Sequence, residues 1–465
     1  MRHIEMAFRV NDFLFKNQNI ILAKDHQFNS EHTFSLITGM NAIGKSRLLT
    51  SIIQSYLIYS KKYEMYDVDS ILIDHPIQMP NKIIAITNAL SDKFPEKNSK
   101  SRIYEYFGNK SNGSIIYDRY ASIKQLMMRD DLNYDCICHT FYYLGFLPFL
   151  KITLSHTLKK NTLSPLELIE IHERYYSLFD NVNFTLNTES PSENEQLFFY
   201  TLRKIYFRKK SIKQSEFNLI YNIFFGNNHV KFKKFDINHY YSYRSRTSAF
   251  SHEEIKILLE NNILRITDVN LLMYSEEIPS PLNINKLTDD FISFSNLSSG
   301  QQALLNIFIS LSSCIEDNSL ICIDEPEISL HPEWQMDFII QLQELFLDYK
   351  GCHFIIATHS PQIVSGLSSE SGYIIDLEKN ITFSKEEYSK KSADFQLAKI
   401  FNSPGYNNEY LIRVALTILS KISKKIELNE LDTENLNLLN SILCDLPTDD
   451  PVSFLIEQIN ALVKL

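Results

Sequence analysis

One glycine-framed octapeptide, Gly39-Met40-Asn41-Ala42-Ile43-Gly44-Lys45-Ser46, constrains the fold of this chain more than any other feature of its sequence. An apolar run that is typical of a buried strand, residues 34–38, precedes it, and helical spacing continues from Lys45 to about Tyr59. The octapeptide fits the pattern G-x-x-x-x-G-K-[ST] in a strand–loop–helix context. It therefore predicts an α/β fold built around a phosphate-binding loop.

The residue types in this loop suit a nucleotide triphosphate bound with Mg²⁺. Gly39 and Gly44 allow backbone N–H groups to approach phosphate oxygens, and the start of the helix adds positive potential. Lys45 is predicted to reach the β- and γ-phosphates, and the Ser46 hydroxyl to bind Mg²⁺. We predict ATP and Mg²⁺ as cofactors, with nucleotide contacts from Gly39, Asn41, Gly44, Lys45, Ser46 and Arg47.

A second apolar run, residues 320–323, ends in two acidic residues, Asp324 and Glu325. A P-loop enzyme needs an aspartate at a strand end to hold Mg²⁺, which predicts Asp324 as a metal ligand beside Ser46. Glu325 is predicted to act as the general base toward the attacking water. Ordinary surface carboxylates are the alternative, but four apolar residues precede Asp324 and a proline follows Glu325.

The stretch from Leu297 to Gln302 opens a helix before that strand, and it resembles the signature motif of ABC-type ATPases. The resemblance implies that the γ-phosphate held by the opposite subunit is bound by Ser298, Ser299, Gly300 and Gln301. It also implies that residues 329–331 form the D-loop and that His359 is a switch histidine contacting the γ-phosphate, catalytic together with Glu325. Composite ATP sites of this kind imply a homodimer or a higher oligomer.

The segment from Asp324 to Gln335 resembles the ABC-type ATPases related to the OLD, RecF and SMC proteins more than transporter subunits. Weaker likeness at residues 80–85, 91–95, 104–108, 392–395 and 405–410 is to the PtuA family, the ATPases of Septu and retron-associated anti-phage defence systems. That family implies an ATP-hydrolysing regulatory subunit that controls a separate nuclease, of the HNH type. A retron reverse transcriptase with its RNA/DNA is a further partner of such systems.

Two other functions stay open at this point, a DNA-repair ATPase of the RecF/SMC type acting directly on DNA and a transporter motor. No acidic cluster of the Toprim type and no HNH arrangement is evident, so the chain is not expected to be a nuclease itself. The glutamine by which ABC proteins link Mg²⁺ to the helical lid is also absent after residues 83–86, where Thr87 or Asn88 would take its place.

Composition sets limits on the partners. A net charge of −10 excludes a surface that is basic throughout, so nucleic acid would have to bind at a local patch. The segment Arg203–Lys234 is such a patch, with nine basic residues and one acid, and a solvated helix face is its alternative. Six scattered cysteines indicate buried thiols, and Cys136-Ile137-Cys138-His139 is a weak metal pattern. No signal peptide or transmembrane run is evident, which predicts a cytoplasmic protein that does not bind membranes.

The predicted fold class is α/β, an ABC-type P-loop ATPase core with a large helical insertion and a helical C-terminal subdomain. Residues 1–108 are predicted as the first part of the core and 109–285 as the helical insertion, since that region is rich in Phe, Tyr, Lys and Asn at helical spacing. The core would resume over 286–368 with the signature, acidic-strand and switch motifs. Residues 369–465 would form the helical subdomain.

Overall fold

The structure is a computed structural model of the 465-residue chain. It describes residues 7–24, 32–65, 78–89, 93–96, 103–108, 120–129, 132–156, 163–179, 190–209, 211–225, 235–240, 245–247, 251–274, 291–367, 372–384, 388, 393–399, 405–443, 446–447 and 449–463. Two compact units divide the chain. Unit 1 consists of Met1–Asp118 and Ser299–Leu465, and unit 2 of Arg119–Ser298.

The strands are, in chain order, β1 (Asp12–Phe15), β2 (Gln18–Ile21), β3 (Thr33–Thr38), β4 (Ile83–Thr87), β5 (Tyr104–Phe107), β6 (Phe146–His156), β7 (Phe235–Tyr240), β8 (Ser245–Thr247), β9 (Leu264–Met273), β10 (Phe291–Ser293), β11 (Leu320–Asp324), β12 (His353–Ala357), β13 (Gly372–Asp376) and β14 (Ile381–Ser384). The helices are α1 (Lys45–Met65), α2 (Ala121–Met128), α3 (Tyr134–Tyr143), α4 (Pro165–Arg174), α5 (Tyr176–Phe179), α6 (Glu193–Lys209), α7 (Gln214–Phe225), α8 (His252–Glu260), α9 (Ser299–Cys314), α10 (Pro332–Leu345), α11 (Pro361–Ser365), α12 (Ala393–Lys399), α13 (Glu409–Ser423), α14 (Glu430–Ile442) and α15 (Pro451–Val463).

Unit 1 is built on a seven-stranded sheet in the order β14-β13-β3-β12-β11-β4-β5. All neighbouring strands from β13 to β5 are parallel, and only β14 runs antiparallel to its neighbour. The strands β3, β4, β11 and β12 are buried along their whole length. Continuous apolar runs are what a parallel sheet covered on both faces requires, and this explains the absence of alternation in residues 320–323. The fold class predicted from the phosphate-binding loop is confirmed.

The main core of unit 1 lies between this sheet and α1. Leu48, Leu49, Ile52 and Ile53 on α1 are fully buried against residues of β4, β11 and β12. These four positions recur at helical spacing and so form one apolar face. Because that face holds α1 on the sheet, the first turn of the helix is kept at the end of β3, where the phosphate-binding loop lies.

Unit 2 is not the purely helical insertion that the composition predicted. It contains helices α2–α8 and also an antiparallel sheet in the order β10-β9-β6-β7-β8. The longest strand, Phe146–His156, carries a proline and a lysine among its apolar residues, which hid its strand character. Strand β10, predicted as part of the ATPase core, belongs to this second sheet, since Phe291 pairs with Leu272 of β9.

The chain after residue 368 is helical only in part. Strands β13 and β14 complete the sheet of unit 1, which corrects the prediction of a helical subdomain beginning at 369. From Ala393 to Val463 the regular elements of the described residues are helices, and α12–α15 share their own hydrophobic core. Among the described residues, no helix of the protein is long and apolar enough to cross a membrane.

A buried histidine ties the N-terminal segment to the sheet. His353 at the start of β12 accepts a hydrogen bond from the backbone N–H of Val10 at Nδ1 (3.0 Å), and its Nε2 lies 2.8 Å from the Ser35 hydroxyl. Ser35 in turn donates to the carbonyl of Leu22 (2.7 Å). These partners require a neutral ring with its proton on Nε2. Complete burial, aided by the nearby charge of Arg9, lowers the pKa of His353 to about 3.

This network predicts acid sensitivity. Between pH 6.5 and 3 the unfolded chain binds a proton at His353 and the folded protein does not, so stability falls as the pH is lowered. One such group contributes a slope of up to about 1.4 kcal/mol per pH unit. We expect His353→Gln to lower the free energy of unfolding at pH 7 and to flatten its decline toward pH 4, measured by chemical denaturation. An acid slope equal to that of the wild type would contradict this.

Candidate nucleotide-binding site

The predicted motifs meet at one edge of the sheet in unit 1. Strands β3, β12, β11 and β4 are adjacent and parallel, and Asp324 lies in register with Ala357 of β12 and Thr87 of β4. The chain leaves these four strands into the phosphate-binding loop, the His359 loop, the Glu325 turn and Asn88. Carboxyl ends of parallel strands are where an α/β sheet binds its ligands, so the site arises from strand order.

Backbone conformation in the loop before α1 suits phosphate binding. Gly39 and Gly44 have φ values of 137° and 118°, and Ala42 has a φ of 64°. Left-handed residues turn successive N–H groups to one side, which forms an anion-binding concavity. Asn41 lies on the exposed side of this loop, and Arg47 is exposed on the first turn of α1.

Lys45 is almost completely buried, and its ammonium contacts the loop and a histidine. Nζ donates to the carbonyls of Gly39 (2.9 Å) and Met40 (3.3 Å), and it lies 2.6 Å from Nε2 of His359. Because an ammonium can only donate, Nε2 must accept, and the imidazole is neutral. Burial, together with the charge of Lys45, lowers the pKa of His359 to about 4. Burial also lowers the pKa of Lys45, although Glu325 and other acids act in the opposite direction.

Ser46 and Asp324 form a pair of hard oxygen ligands. The Ser46 hydroxyl donates to Asp324 Oδ1 at 3.1 Å. Burial raises the pKa of Asp324 to about 7, whereas the Ser46 hydrogen bond and Lys45 act to lower it. A carboxylate in this setting is stabilised as an anion by an adjacent cation. The donor set therefore fits Mg²⁺, with Ser46 and Asp324 as the residues that would hold it.

Glu325 lies directly after β11 in a strained backbone conformation. Its φ is +50°, which is uncommon for a residue with a side chain. A backbone hydrogen bond from its N–H to the carbonyl of Ala357 (2.9 Å) fixes it to the end of β12. Backbone strain of this kind persists only where the surrounding structure holds it in place, and strained residues are concentrated at functional sites. The side chain is partly exposed, as a group that has to reach water must be.

Glu327 is a residue of the site that the sequence analysis missed. Its carboxylate accepts hydrogen bonds from the Thr358 hydroxyl (2.8 Å) and from the backbone N–H of His359 (2.5 Å). Burial raises its pKa, while these hydrogen bonds act to lower it. The only signal in the sequence is a second acid two residues after Glu325, which the pattern alone does not separate from a surface residue.

The predicted signature residues occupy the start of α9. Ser298 and Ser299 are exposed, Gly300 is buried and Gln301 is partly buried. A Cβ atom on Gly300 would lie 2.7 Å from the carbonyl oxygen of Ser329 and 2.8 Å from the ring of Trp334. The glycine is therefore needed for close packing of α9 against the predicted D-loop, a role that the sequence motif did not reveal.

A second lysine lies at the phosphate-binding loop and was also missed. Lys16, at the turn between β1 and β2, donates to the carbonyl of Ile43 at 2.9 Å. The ring of Phe15 lies next to it, 3.5 Å from the position of a Cβ on Gly44. Lys16 and Asn17 both have positive φ values, as a two-residue hairpin turn requires. The hairpin therefore brings one more cation to the backbone of the loop.

The residues predicted to replace the missing glutamine lie beside the site. Thr87 is buried and accepts from the N–H of Ala89 (3.0 Å). The Asn88 carbonyl oxygen lies 3.4 Å from the amide nitrogen of Asn306 on α9. Its own amide nitrogen is buried, without a hydrogen-bond partner among the described residues. That Thr87 or Asn88 takes the place of the glutamine stays a prediction.

Two of the three basic side chains that the structure describes in the basic segment Arg203–Lys234 make internal contacts. Arg203 pairs with Glu167 at 2.5 Å, and Lys204 donates to the carbonyl of Asn262. Lys213 is exposed. The side chains of Arg208, Lys209, Lys210, Lys231, Lys233 and Lys234 lie outside the described part of the chain. Among the described residues no group of three or more His, Cys, Asp or Glu side chains is arranged to hold a metal ion, and Cys136 and Cys138 belong to no such group.

Comparison with known proteins agrees with this geometry. Residues 201–365 match the model of the family described as "AAA domain, putative AbiEii toxin, Type IV TA system". The match includes the signature residues, β11 and His359, and the phosphate-binding loop lies outside it. Residues 201–365 are therefore similar to an ATPase-domain family, and the parallel sheet of unit 1 is the α/β fold of a P-loop protein.

Two curated proteins are distantly similar. One is the "Retron Ec83 probable ATPase" of Escherichia coli, 24% identical over 159 residues, which are 32% of this chain and 27% of that protein. The other is the "Retron Vc95 probable ATPase" of Vibrio cholerae serotype O1 biovar El Tor, 26% identical over 132 residues, which are 26% of this chain and 25% of that protein. The matched segments span about a quarter of each of these relatives.

Proposed function

We propose that this protein hydrolyses Mg-ATP at a composite site between two copies of itself and thereby regulates a partner nuclease in an anti-phage defence complex. The observation that carries the first part is the convergence of Lys45, Ser46, Asp324, Glu325 and His359 at the carboxyl ends of three adjacent parallel strands. Similarity to retron ATPases supports the second part.

In this proposal each residue has one task. The loop N–H groups and Lys45 bind the phosphates, and Ser46 and Asp324 hold Mg²⁺, which supplies charge neutralisation on the phosphoryl oxygens. Glu325 accepts a proton from the attacking water. The neutral ring of His359, beside the Lys45 ammonium, is placed to contact the terminal phosphate. These tasks need positioned charges more than covalent chemistry, as phosphoryl transfer does in general.

The exposure of Ser298 and Ser299 supports a composite site. Both precede or begin α9, where helix N–H groups and hydroxyls would bind an anion presented by another copy. We propose that ATP on one protomer is closed over by residues 298–301 of its partner, so that ATP favours association. If ATP binds one assembly of the protein more tightly than another, it shifts the equilibrium between the two assemblies. Such a shift allows the nucleotide to switch the activity of a bound nuclease.

The test is a purification of the tagged chain from its native host with and without ATP, with the Lys45→Ala variant as the matched control. Proteins that co-purify would be identified by mass spectrometry and assayed for nuclease activity. We expect a stoichiometric nuclease whose activity ATP suppresses in the wild type and not in the variant.

A different outcome would favour another function. A chain that purifies alone, and whose ATP turnover is stimulated by plain DNA, would replace the defence proposal with direct action on DNA. The pairing of Arg203 and Lys204 within the protein argues against that outcome, because those two side chains already have partners.

A further inference from the structure

We infer that Glu327 is a positioning residue that holds His359 in the place from which it acts, and that it links this histidine to the D-loop. The inference rests on the proposed hydrolysis of ATP and goes beyond it, because the motifs identified in the sequence assigned no role to this carboxylate. Three observations support it. They are the two hydrogen bonds that the Glu327 carboxylate accepts, the contact of His359 with Lys45, and the hydrogen bonds that connect Thr358 to the predicted D-loop.

Both oxygens of Glu327 are used on the same short loop. Oε2 accepts from the Thr358 hydroxyl and Oε1 from the His359 N–H, so the carboxylate spans two consecutive residues. Hydrogen bonds to an ionised acceptor are shorter and stronger than neutral ones. Two of them on adjacent residues fix the direction of the backbone between them, and with it the direction of the His359 side chain.

The side chain so directed meets Lys45. Nε2 of His359 lies 2.6 Å from the ammonium, and that contact depends on the loop holding its place at the end of β12. A small displacement would separate the imidazole from the phosphate-binding lysine. Misplacement of a group by about 1 Å can cost as much as 100-fold in rate, so a carboxylate that never touches the phosphate can still limit turnover.

The same loop is bonded to the segment that packs on Gly300. The Ser360 N–H donates to the Thr358 hydroxyl (3.0 Å), and the Ser360 hydroxyl donates to Oε1 of Gln335 (2.5 Å). Gln335 donates through Nε2 to the carbonyl of Leu330 (2.9 Å) in the predicted D-loop. A continuous set of hydrogen bonds therefore runs from Leu330 through Gln335, Ser360 and Thr358 to Glu327.

The test compares Glu327→Ala and Glu327→Gln, alone and combined with His359→Ala. Glu344→Ala, which removes an exposed acid from α10, is the control for loss of charge. A glutamine amide can still accept from the His359 N–H and donate to the Thr358 hydroxyl. We expect Glu327→Ala to lower kcat by about 10- to 100-fold with little change in KM, and Glu327→Gln to retain most of the rate.

Two results separate positioning from a merely structural role. If Glu327 acts through His359, adding Glu327→Ala to His359→Ala should change kcat by less than about twofold, because residues that act as a unit are not additive. In addition, NMR titration should show a higher pKa for His359 in Glu327→Ala than in Glu327→Gln. Both variants lose the same charge, so this difference reports only the position of the ring.

Multiplicative losses in the double variant together with equal His359 pKa values in the two single variants would overturn the inference. A wild-type protein without ATP turnover would instead refute the proposed function, and the titration would still decide the role of Glu327. Wild-type kcat in Glu327→Ala would refute the inference alone.

Discussion

Replacing Glu325 by glutamine is expected to lower ATP turnover by about 100-fold or more, since a general base contributes roughly 10²- to 10⁴-fold. The substitution keeps the shape of the side chain and leaves the left-handed backbone at this residue unchanged. It removes a negative charge that acts on Lys45, so the affinity for an anionic nucleotide should be retained or increased. Because bound ATP is no longer consumed, the dimer should persist.

Two measurements check this result, phosphate release under saturating Mg-ATP and the molar mass in solution with and without ATP. Glu344→Gln is the matched control, since it makes the same chemical change on the exposed face of α10. Normal turnover in Glu325→Gln would show that the base is assigned to the wrong residue. Lost turnover without an ATP-dependent dimer would argue against the composite site.

Lys45→Ala is expected to reduce the affinity for Mg-ATP by about 10- to 100-fold, since a hydrogen bond to a charged group contributes roughly 1.5–3 kcal/mol. The same change should not lower thermal stability. Burial depresses the pKa of Lys45, which means that the folded protein disfavours the charged form, and an alanine removes that unfavourable term. The Gly39 and Met40 carbonyls lose a donor, but Met40 is exposed to water.

Binding of a fluorescent ATP analogue and the melting temperature, measured on the same preparations, would test both parts. Lys16→Ala is an informative companion, because Lys16 also contacts the loop backbone but is exposed. Unchanged affinity in Lys45→Ala would remove the phosphate-binding role from this lysine. A large fall in melting temperature would show that its hydrogen bonds to Gly39 and Met40 outweigh its desolvation.

The sequence by itself determined the class of the fold and the region of the site. The loop from Gly39 to Ser46 and the acidic end of β11 are local patterns, because the residues that act together in each of them are neighbours along the chain. Parallel strands that are buried on both faces can also be predicted from the sequence, because they are continuous apolar runs. The antiparallel strand β6 of unit 2 was not evident in the same way, because it mixes Phe, Pro and Lys and does not alternate. Strand β14 at the edge of the unit 1 sheet has only four residues and was also missed.

Only the tertiary structure decided which distant groups touch. Glu327 and His359 are 32 residues apart, and Lys45 and His359 are 314 apart. These pairs meet because β3, β12 and β11 are neighbours in the sheet, an order that does not follow the order of the chain. Strand order is selected by the packing of whole faces against α1 and the other helices, a long-range property that no local pattern encodes.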